Sequence, residues 1–137
     1  MSDATLVFRG IENSGDARGG SFPIPPQVFA EAFPVRDAHL STLRPGHTRG
    51  DHYHVVRHEI LAVLATGAWS LHWDAGPGTP TRHEHFDGTM AVVVEVPPLV
   101  AHAIRNDGGE DLQLMGISDL PYDPDHPDTL PRQVSDR

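Results

Sequence analysis

The residues best able to do chemistry crowd into one short stretch, Gly50-Asp51-His52-Tyr53-His54-Val55-Val56-Arg57-His58-Glu59. Residues two apart on an extended strand project from the same face, so His52 and His54 are expected to point together to one side, with Tyr53 packing on the other. Glu59 follows a tight reversal and opens an apolar segment whose Leu61 and Val63 share its face, so it can present a carboxylate opposite the two imidazoles. Much further on, His102 follows Pro97-Pro98, precedes Asn106 and stands at the start of another expected strand, where it can supply a third imidazole. Three neutral nitrogens and one carboxylate suit a divalent first-row metal. Zinc heads the expectation, with nickel, iron and manganese left open. Nitrogen and oxygen ligands drawn from separate strands also leave one or two coordination positions for water or a substrate oxygen, as catalytic sites need.

Bringing side chains together from three separated segments takes a rigid frame, and strand-length apolar stretches supply it. They run from Ala38 to Leu43, Glu59 to Ala65, Ala68 to Trp73, Met90 to Val96 and Leu112 to Ile117. Turn signals stand between them, including Arg44-Pro45-Gly46, Thr66-Gly67, Ala75-Gly76-Pro77-Gly78, Asp87-Gly88 and Asn106-Asp107-Gly108-Gly109. The 13 glycines and 13 prolines are spread along the whole chain, so no linker divides it. The expected architecture is all-β, an antiparallel sandwich or small barrel. One helical window, Gln27 to Phe33, is hemmed in by Pro23, Pro25, Pro26 and Pro34 and has room for one turn. A length of 137 residues points to a single domain over 1–137, with 1–35 as an amino-terminal loop and strand extension and 121–137 as an extended tail laid over the sheet.

Composition removes several function classes. There is no cysteine, which excludes disulfides, thiolate metal sites and cysteine nucleophiles. All ten cationic residues are arginine, so no lysine is available as a Schiff base or general base. A formal charge of −9 argues against nucleic acid, whose phosphates are met by clustered cations. No apolar run approaches the ~20 residues of a membrane span, and no signal-like amino terminus is present, so a soluble cytoplasmic protein that binds no membrane is expected. Ten histidines in a chain of this length demand a reason.

The two histidine-bearing blocks resemble the two motifs of the cupin superfamily. The first has Gly50, His52-x-His54 and Glu59, closed by Gly67; the second runs Pro97-x4-His102-x3-Asn106, with Leu99 where glycine is common. The resemblance implies a double-stranded β-helix, or jelly roll, with the site in its interior, and a homodimer. From about residue 8 to 134 the chain is similar to the C-terminal cupin domain of bifunctional capsular polysaccharide enzymes that act on UDP-linked 4-keto-6-deoxy sugars. The matching residues are Asp16-x-Arg18-Gly19, Pro45-Gly46-His47-Thr48-Arg49-Gly50-Asp51-His52-Tyr53-His54, Pro97-x4-His102-x-Ile104-x-Asn106 and Tyr122-Asp123-Pro124-x2-Pro127-Asp128-Thr129. That resemblance implies a C3 epimerase, with the pathway's reductase supplied separately. Sugar-nucleotide 3,5-epimerases and 3,4-ketoisomerases are more loosely similar, through Arg49-Gly50-x-His52 and Asp16-x-Arg18-Gly19. They typically work without metal and use a histidine at the position of His52 as base, a role that a metal-bound His52 could not fill.

Epimerising carbon 3 of a 4-keto sugar requires removal of the proton beside the carbonyl, stabilisation of the enolate, and return of a proton to the opposite face. With a metal polarising the carbonyl as a Lewis acid, the base would come from the remaining histidines, whose ordinary pKa near 6.5 suits the task. Candidates are His72, and His83 with His85 on one face of Thr81 to Phe86; the alternative is the solvent side of a surface hairpin. His47 and His58 lie in loops beside the motif. Tyr122 could cover the opening or anchor the tail. The pyrophosphate of a sugar nucleotide needs forked donors, for which Arg18, Arg49 and Arg57 are the candidates, surface ion pairs being the alternative. Trp69 and Trp73 share a face and either fill the core or stack a ring.

Three functions therefore compete: a sugar-nucleotide epimerase or isomerase, another metal-dependent cupin enzyme such as a dioxygenase or polyketide cyclase, and a non-enzymatic sugar-binding cupin. The second would use the same four ligands beneath a hydrophobic pocket.

Overall fold

The computed structural model describes residues 5–30 and 34–136. Its frame is two five-stranded antiparallel sheets facing each other as a jelly roll. One sheet has the order β1 (Val7–Ile11), β7 (Met90–Val96), β4 (Glu59–Ala65), β9 (Leu112–Ser118), β2 (Asp37–Leu43). The other has the order β10 (Leu130–Pro131), β3 (Thr48–Tyr53), β8 (His102–Asn106), β5 (Trp69–Trp73), β6 (Arg82–Phe86). The five apolar stretches read from the sequence coincide with β2, β4, β5, β7 and β9 to within one residue. The helical window holds a single turn, α1 (Gln27–Ala30); residues 31–33 of that window lie outside the described residues. No helix among the described residues is long and apolar enough to cross a membrane.

The core lies between the sheets. Leu61, Val63, Ala65, Val92, Val94, Leu112 and Leu114 face Trp69, Leu71 and Ile104 across it. Fully burying each of the larger side chains contributes about 1.5–3 kcal/mol, which fixes the inward face of every strand and hence the register. Trp69 and Trp73 belong to this packing: Trp69 stacks on Phe86 at 4.3 Å between centroids, and Trp73 meets Phe8 edge-on at 5.5 Å. On the outside of the first sheet Ile60, Val93 and Ile117 are covered by Ile11, Phe22, Ile24 and Val28 from the amino-terminal segment.

The carboxy-terminal tail does the same for the other sheet, where Val134 packs on Ala101, Ala103 and Tyr53. Its polar anchors are specific. Arg132 lies over the Tyr53 ring at 4.3 Å and donates to Asp74 at 2.7 and 3.0 Å and to the Leu99 carbonyl at 2.7 Å. Buried Asp51 accepts from the Val134 and Ser135 amides, both at 2.9 Å, and from Ser135 Oγ at 2.7 Å. Replacing Asp51 with alanine leaves these buried donors unpaired, at a cost of about 3 kcal/mol or more. The expected outcome is a lower urea midpoint together with faster proteolysis of the tail.

Candidate metal centre

A β-bulge on β3 decides which side chains enter the barrel. In the β3–β8 ladder Arg49 stands opposite Ile104 and His52 opposite His102, with Asp51 left as the extra residue. Ile104 belongs to the core, so Arg49 and His52 both face inward although they are three residues apart. Strict alternation would turn His52 outward; the inserted residue flips the parity. The bulge has left-handed backbone at Gly50 (φ 109°) and Asp51 (φ 56°), and the tail holds the Asp51 carboxylate on the outside.

His54 follows β3, Glu59 opens β4 and His102 opens β8. The turn into β8 carries Leu99 at φ 71°, so leucine here adopts the left-handed conformation for which glycine is common. One ligand atom from each of His52, His54, Glu59 and His102 can be chosen so that all lie within 4.8 Å of one another. Ligands about 2.1 Å from one ion lie at most about 4.2 Å apart, so the cluster is a small side-chain adjustment from that spacing.

Hydrogen bonding orients the rings for coordination. His54 Nδ1 donates to the Asp128 carbonyl at 2.7 Å, and His102 Nδ1 to the Val100 carbonyl at 3.2 Å. With Nδ1 protonated, a neutral ring offers the lone pair of Nε2 inward. Both Nε2 atoms face Glu59 Oε1, at 3.5 Å from His54 and 3.1 Å from His102, and buried His54 Nε2 has no hydrogen-bond partner. Two ring nitrogens converging on one carboxylate oxygen can be bridged by a divalent cation as well as by protons, so the donor set fits a metal. At His54 burial works against the charged ring, but Glu59 and the Asp128 carbonyl outweigh it and raise the pKa. Burial and then the neighbouring His102 and His54 push His52 down to about 4, which keeps it neutral. Burial alone would raise Glu59, but the His102 and His54 imidazoles beside it outweigh that and hold the carboxyl well below the usual range.

Over the cluster opens a pocket of about 400 Å³ lined by His39, Ser41, Thr48, Arg49, Gly50, His52, Glu59, Leu61, His102, Ile104 and Leu114. Apolar Leu61, Ile104 and Leu114 make its inner wall. A neighbouring hollow of about 440 Å³, lined in part by Arg44 and His47, shares Thr48 and Arg49 with it. Arg49 Nε donates to the Thr42 carbonyl at 3.1 Å, which fixes the guanidinium between the two.

The other residues singled out from the sequence are distributed differently. His72, His83 and His85 sit away from the pocket, on the outer face of the second sheet, because the alternate residues Trp69, Leu71 and Trp73 fill the core. His72 is buried there against Ser70 Oγ at 2.8 Å, and its ring lies 5.9 Å from that of His83. Arg18 is exposed and paired with Asp16 at 2.7 Å beside a separate surface hollow. Arg57 is buried outside the pocket lining, 3.4 Å from Ser118 Oγ and 3.8 Å from Asp37. Tyr122 is exposed on the tail, and His58 pairs with Asp119 at 2.9 Å. His39 is the titratable pocket residue absent from the sequence expectations. Its ring lies over Gly116, where a Cβ would fall 2.5 Å from it. Strand alternation back from inward Leu43 through Ser41 places His39 on the pocket side, a signal the sequence carries.

The jelly roll and its inward histidine and glutamate cluster have the architecture that the resemblance to cupins implies. The chain belongs to the family described as the polysaccharide biosynthesis C-terminal domain, which matches residues 29–130. No curated protein sequence gives a significant match. Among solved structures the chain is similar to the capsular polysaccharide assembling protein CapF from Staphylococcus aureus, with TM-score 0.64 and 22% identity over 90% of this chain. The chain spans only 34% of CapF. It is also similar to QdtA, a sugar 3,4-ketoisomerase from Thermoanaerobacterium thermosaccharolyticum in complex with TDP, with TM-score 0.67 and 17% identity over 91% of this chain and 86% of that one. ChmJ, a 3′-monoepimerase from Streptomyces bikiniensis in complex with dTDP, gives TM-score 0.72 and 19% identity over 91% and 68% of the two chains.

Proposed function

We propose that the protein is a sugar-nucleotide epimerase or isomerase that takes a proton from the carbon beside the ketone of a nucleotide-linked 4-keto-6-deoxy sugar, with a divalent ion, zinc first, held by His52, His54, Glu59 and His102. The observation that carries this reading is the pocket itself, which places a further imidazole, His39, and a guanidinium, Arg49, beside the four-residue cluster. A volume of about 400 Å³ suits a hexose, and the adjoining hollow leaves room for the nucleotide. QdtA, whose fold this chain shares, has been solved as a mutant in complex with TDP-4-keto-6-deoxyglucose, which supports this substrate class.

When bound, the metal supplies Lewis-acid polarisation of the C4 carbonyl. The chain's own residues do the rest. With an ion bound, the four ligands would have their lone pairs engaged, which leaves His39 as the base: it takes the C3 proton as the C–H electrons form the C3–C4 double bond and the carbonyl electrons move onto its oxygen. Epimerisation is completed when water in the open pocket delivers a proton to C3 from the opposite face and His39 returns its own proton to solvent. Arg49 receives the pyrophosphate through paired N–H donors. Leu61, Ile104 and Leu114 give the sugar an apolar wall to rest against.

The test is deuterium exchange at C3 of UDP- and TDP-4-keto-6-deoxyglucose in deuterium oxide. The wild type is expected to exchange one or both, and His39→Asn is expected to be at least ~100-fold slower with unchanged metal content. No exchange with either nucleotide sinks the enzymatic reading. Undiminished exchange in His39→Asn removes His39 as the base.

A further inference from the structure

We propose that Asp128 is a positioning residue of the metal centre, fixing the loop between two ligands with its carboxylate and the His54 ring with its carbonyl. The proposal rests on the reading of the four-residue cluster as a metal site. Asp128 Oδ1 accepts from the Val55 amide at 2.8 Å, and Oδ2 accepts from the Val56 and Arg57 amides at 3.0 and 2.9 Å. Its backbone oxygen accepts from His54 Nδ1 at 2.7 Å, and Thr129 Oγ1 lies 3.5 Å from the same nitrogen. One residue of the tail therefore grips four successive residues, 54 to 57, on the way from His54 to Glu59.

Apolar packing does little to hold that loop, because Val55 and Val56 are 47% and 62% exposed. Its order depends on three amides converging on one carboxylate. Donation from Nδ1 to the carbonyl sets the His54 tautomer and turns Nε2 toward Glu59, the role that hydrogen-bond partners of metal-bound histidines commonly play. Asp128 reaches both groups from a left-handed backbone at φ 43°, which aspartate and asparagine adopt more readily than most residues. The chain beyond it is pinned separately, by the pairing of Leu130 and Pro131 with Tyr53 and His52 and by the contacts of Arg132 with Asp74 and Leu99. The tail string Pro127-Asp128-Thr129 thus serves the site, not only the outer face of the sheet.

The experiment measures zinc affinity by competition with a chromophoric chelator, and the visible spectrum of the cobalt-loaded protein, in the wild type, Asp128→Asn and Arg132→Gln. Asparagine keeps the left-handed backbone and the carbonyl to His54 but offers the loop one side-chain oxygen in place of two. Asp128→Asn is expected to bind zinc 10–100-fold more weakly and to alter the cobalt spectrum. Arg132→Gln, which loosens the tail at Asp74 and Leu99 while leaving the Asp128 contacts in place, is expected to keep both at wild-type values. Wild-type affinity in Asp128→Asn overturns the proposal, and so does an equal loss in both variants, which would make tail docking in general the cause. If the wild type binds no zinc or cobalt, the metal reading fails and this proposal with it.

Discussion

In the His102→Ala variant, bound zinc is expected to fall from about one equivalent to under a tenth after desalting, with affinity weakened at least ~100-fold. His102 is buried at the start of β8, and its Nε2 lies 3.1 Å from Glu59 Oε1. Deleting the ring removes one of four donors and also leaves the buried Glu59 carboxylate facing His54 alone, at 3.5 Å. Three remaining ligands hold a first-row ion far more weakly, and a buried charge that loses a partner costs about 3–5 kcal/mol. Metal affinity and fold stability should therefore drop together. Because ion binding to the native state adds RT ln(1 + [L]/Kd), free zinc at 1,000 times Kd raises wild-type stability by about 4 kcal/mol, a gain the variant should lack. The measurement is a thermal melt with and without added zinc, paired with metal analysis. His126→Ala, in an exposed part of the tail, is the control expected to retain both. Full metal content in His102→Ala removes this residue from the ligand set.

The frame of this site was legible because burial and periodicity agree in it. Met90 to Val96 and Glu59 to Ala65 are apolar runs bounded by turn residues, and they become the central strands of the first sheet with the expected bounds. The convergence of His52, His54, Glu59 and His102 was also foreseeable, since spacing groups the first three and His102 stands after Pro97-Pro98 at the start of another expected strand. The route by which His52 turns inward was not. Counting by twos from inward Arg49 gives the wrong face, and only the ladder with β8 reveals the extra residue at Asp51. A bulge belongs to a pair of strands, so one strand's sequence carries no periodic trace of it.

The same limit applies to His72, His83 and His85, the histidines singled out as candidate bases. Period two shows that His83 and His85 share a face, but it leaves open whether that face is core or solvent. Trp69, Leu71 and Trp73 decide it: once they take the inward positions of β5, His72 and its neighbours on β6 are committed to the outside. His39 shows the converse. It stands in a strand whose inward residues are Ser41 and Leu43, a pattern too polar to draw notice until the pocket closes around it. Leu99 extends the lesson to turns, because the left-handed geometry survives there without the glycine that usually signals it.

Gly50→Ala should be among the most damaging single substitutions in the chain, and its harm should reach the metal centre through the backbone. Gly50 sits at φ 109°, a region alanine enters with strain of about 1–3 kcal/mol. The added Cβ would also lie 2.5 Å from the His102 carbonyl oxygen and 2.8 Å from Ala103 Cα. Both are backbone atoms of β8, so no side-chain rotation relieves the contact, and a forced separation of packed strands costs a further ~1–3 kcal/mol. Together these are a large part of the ~5–15 kcal/mol that holds a domain of this size folded. The melting temperature is expected to fall by roughly 10 °C. What distinguishes this variant from an ordinary core lesion is its direction. The strand pushed away is the one that starts with His102, and the residue after next on β3 is His52, so zinc affinity should fall even at temperatures where circular dichroism reports a folded protein. A Gly50→Ala protein that melts like the wild type and binds zinc equally well would mean that β3 and β8 do not approach as closely at the bulge as their register requires.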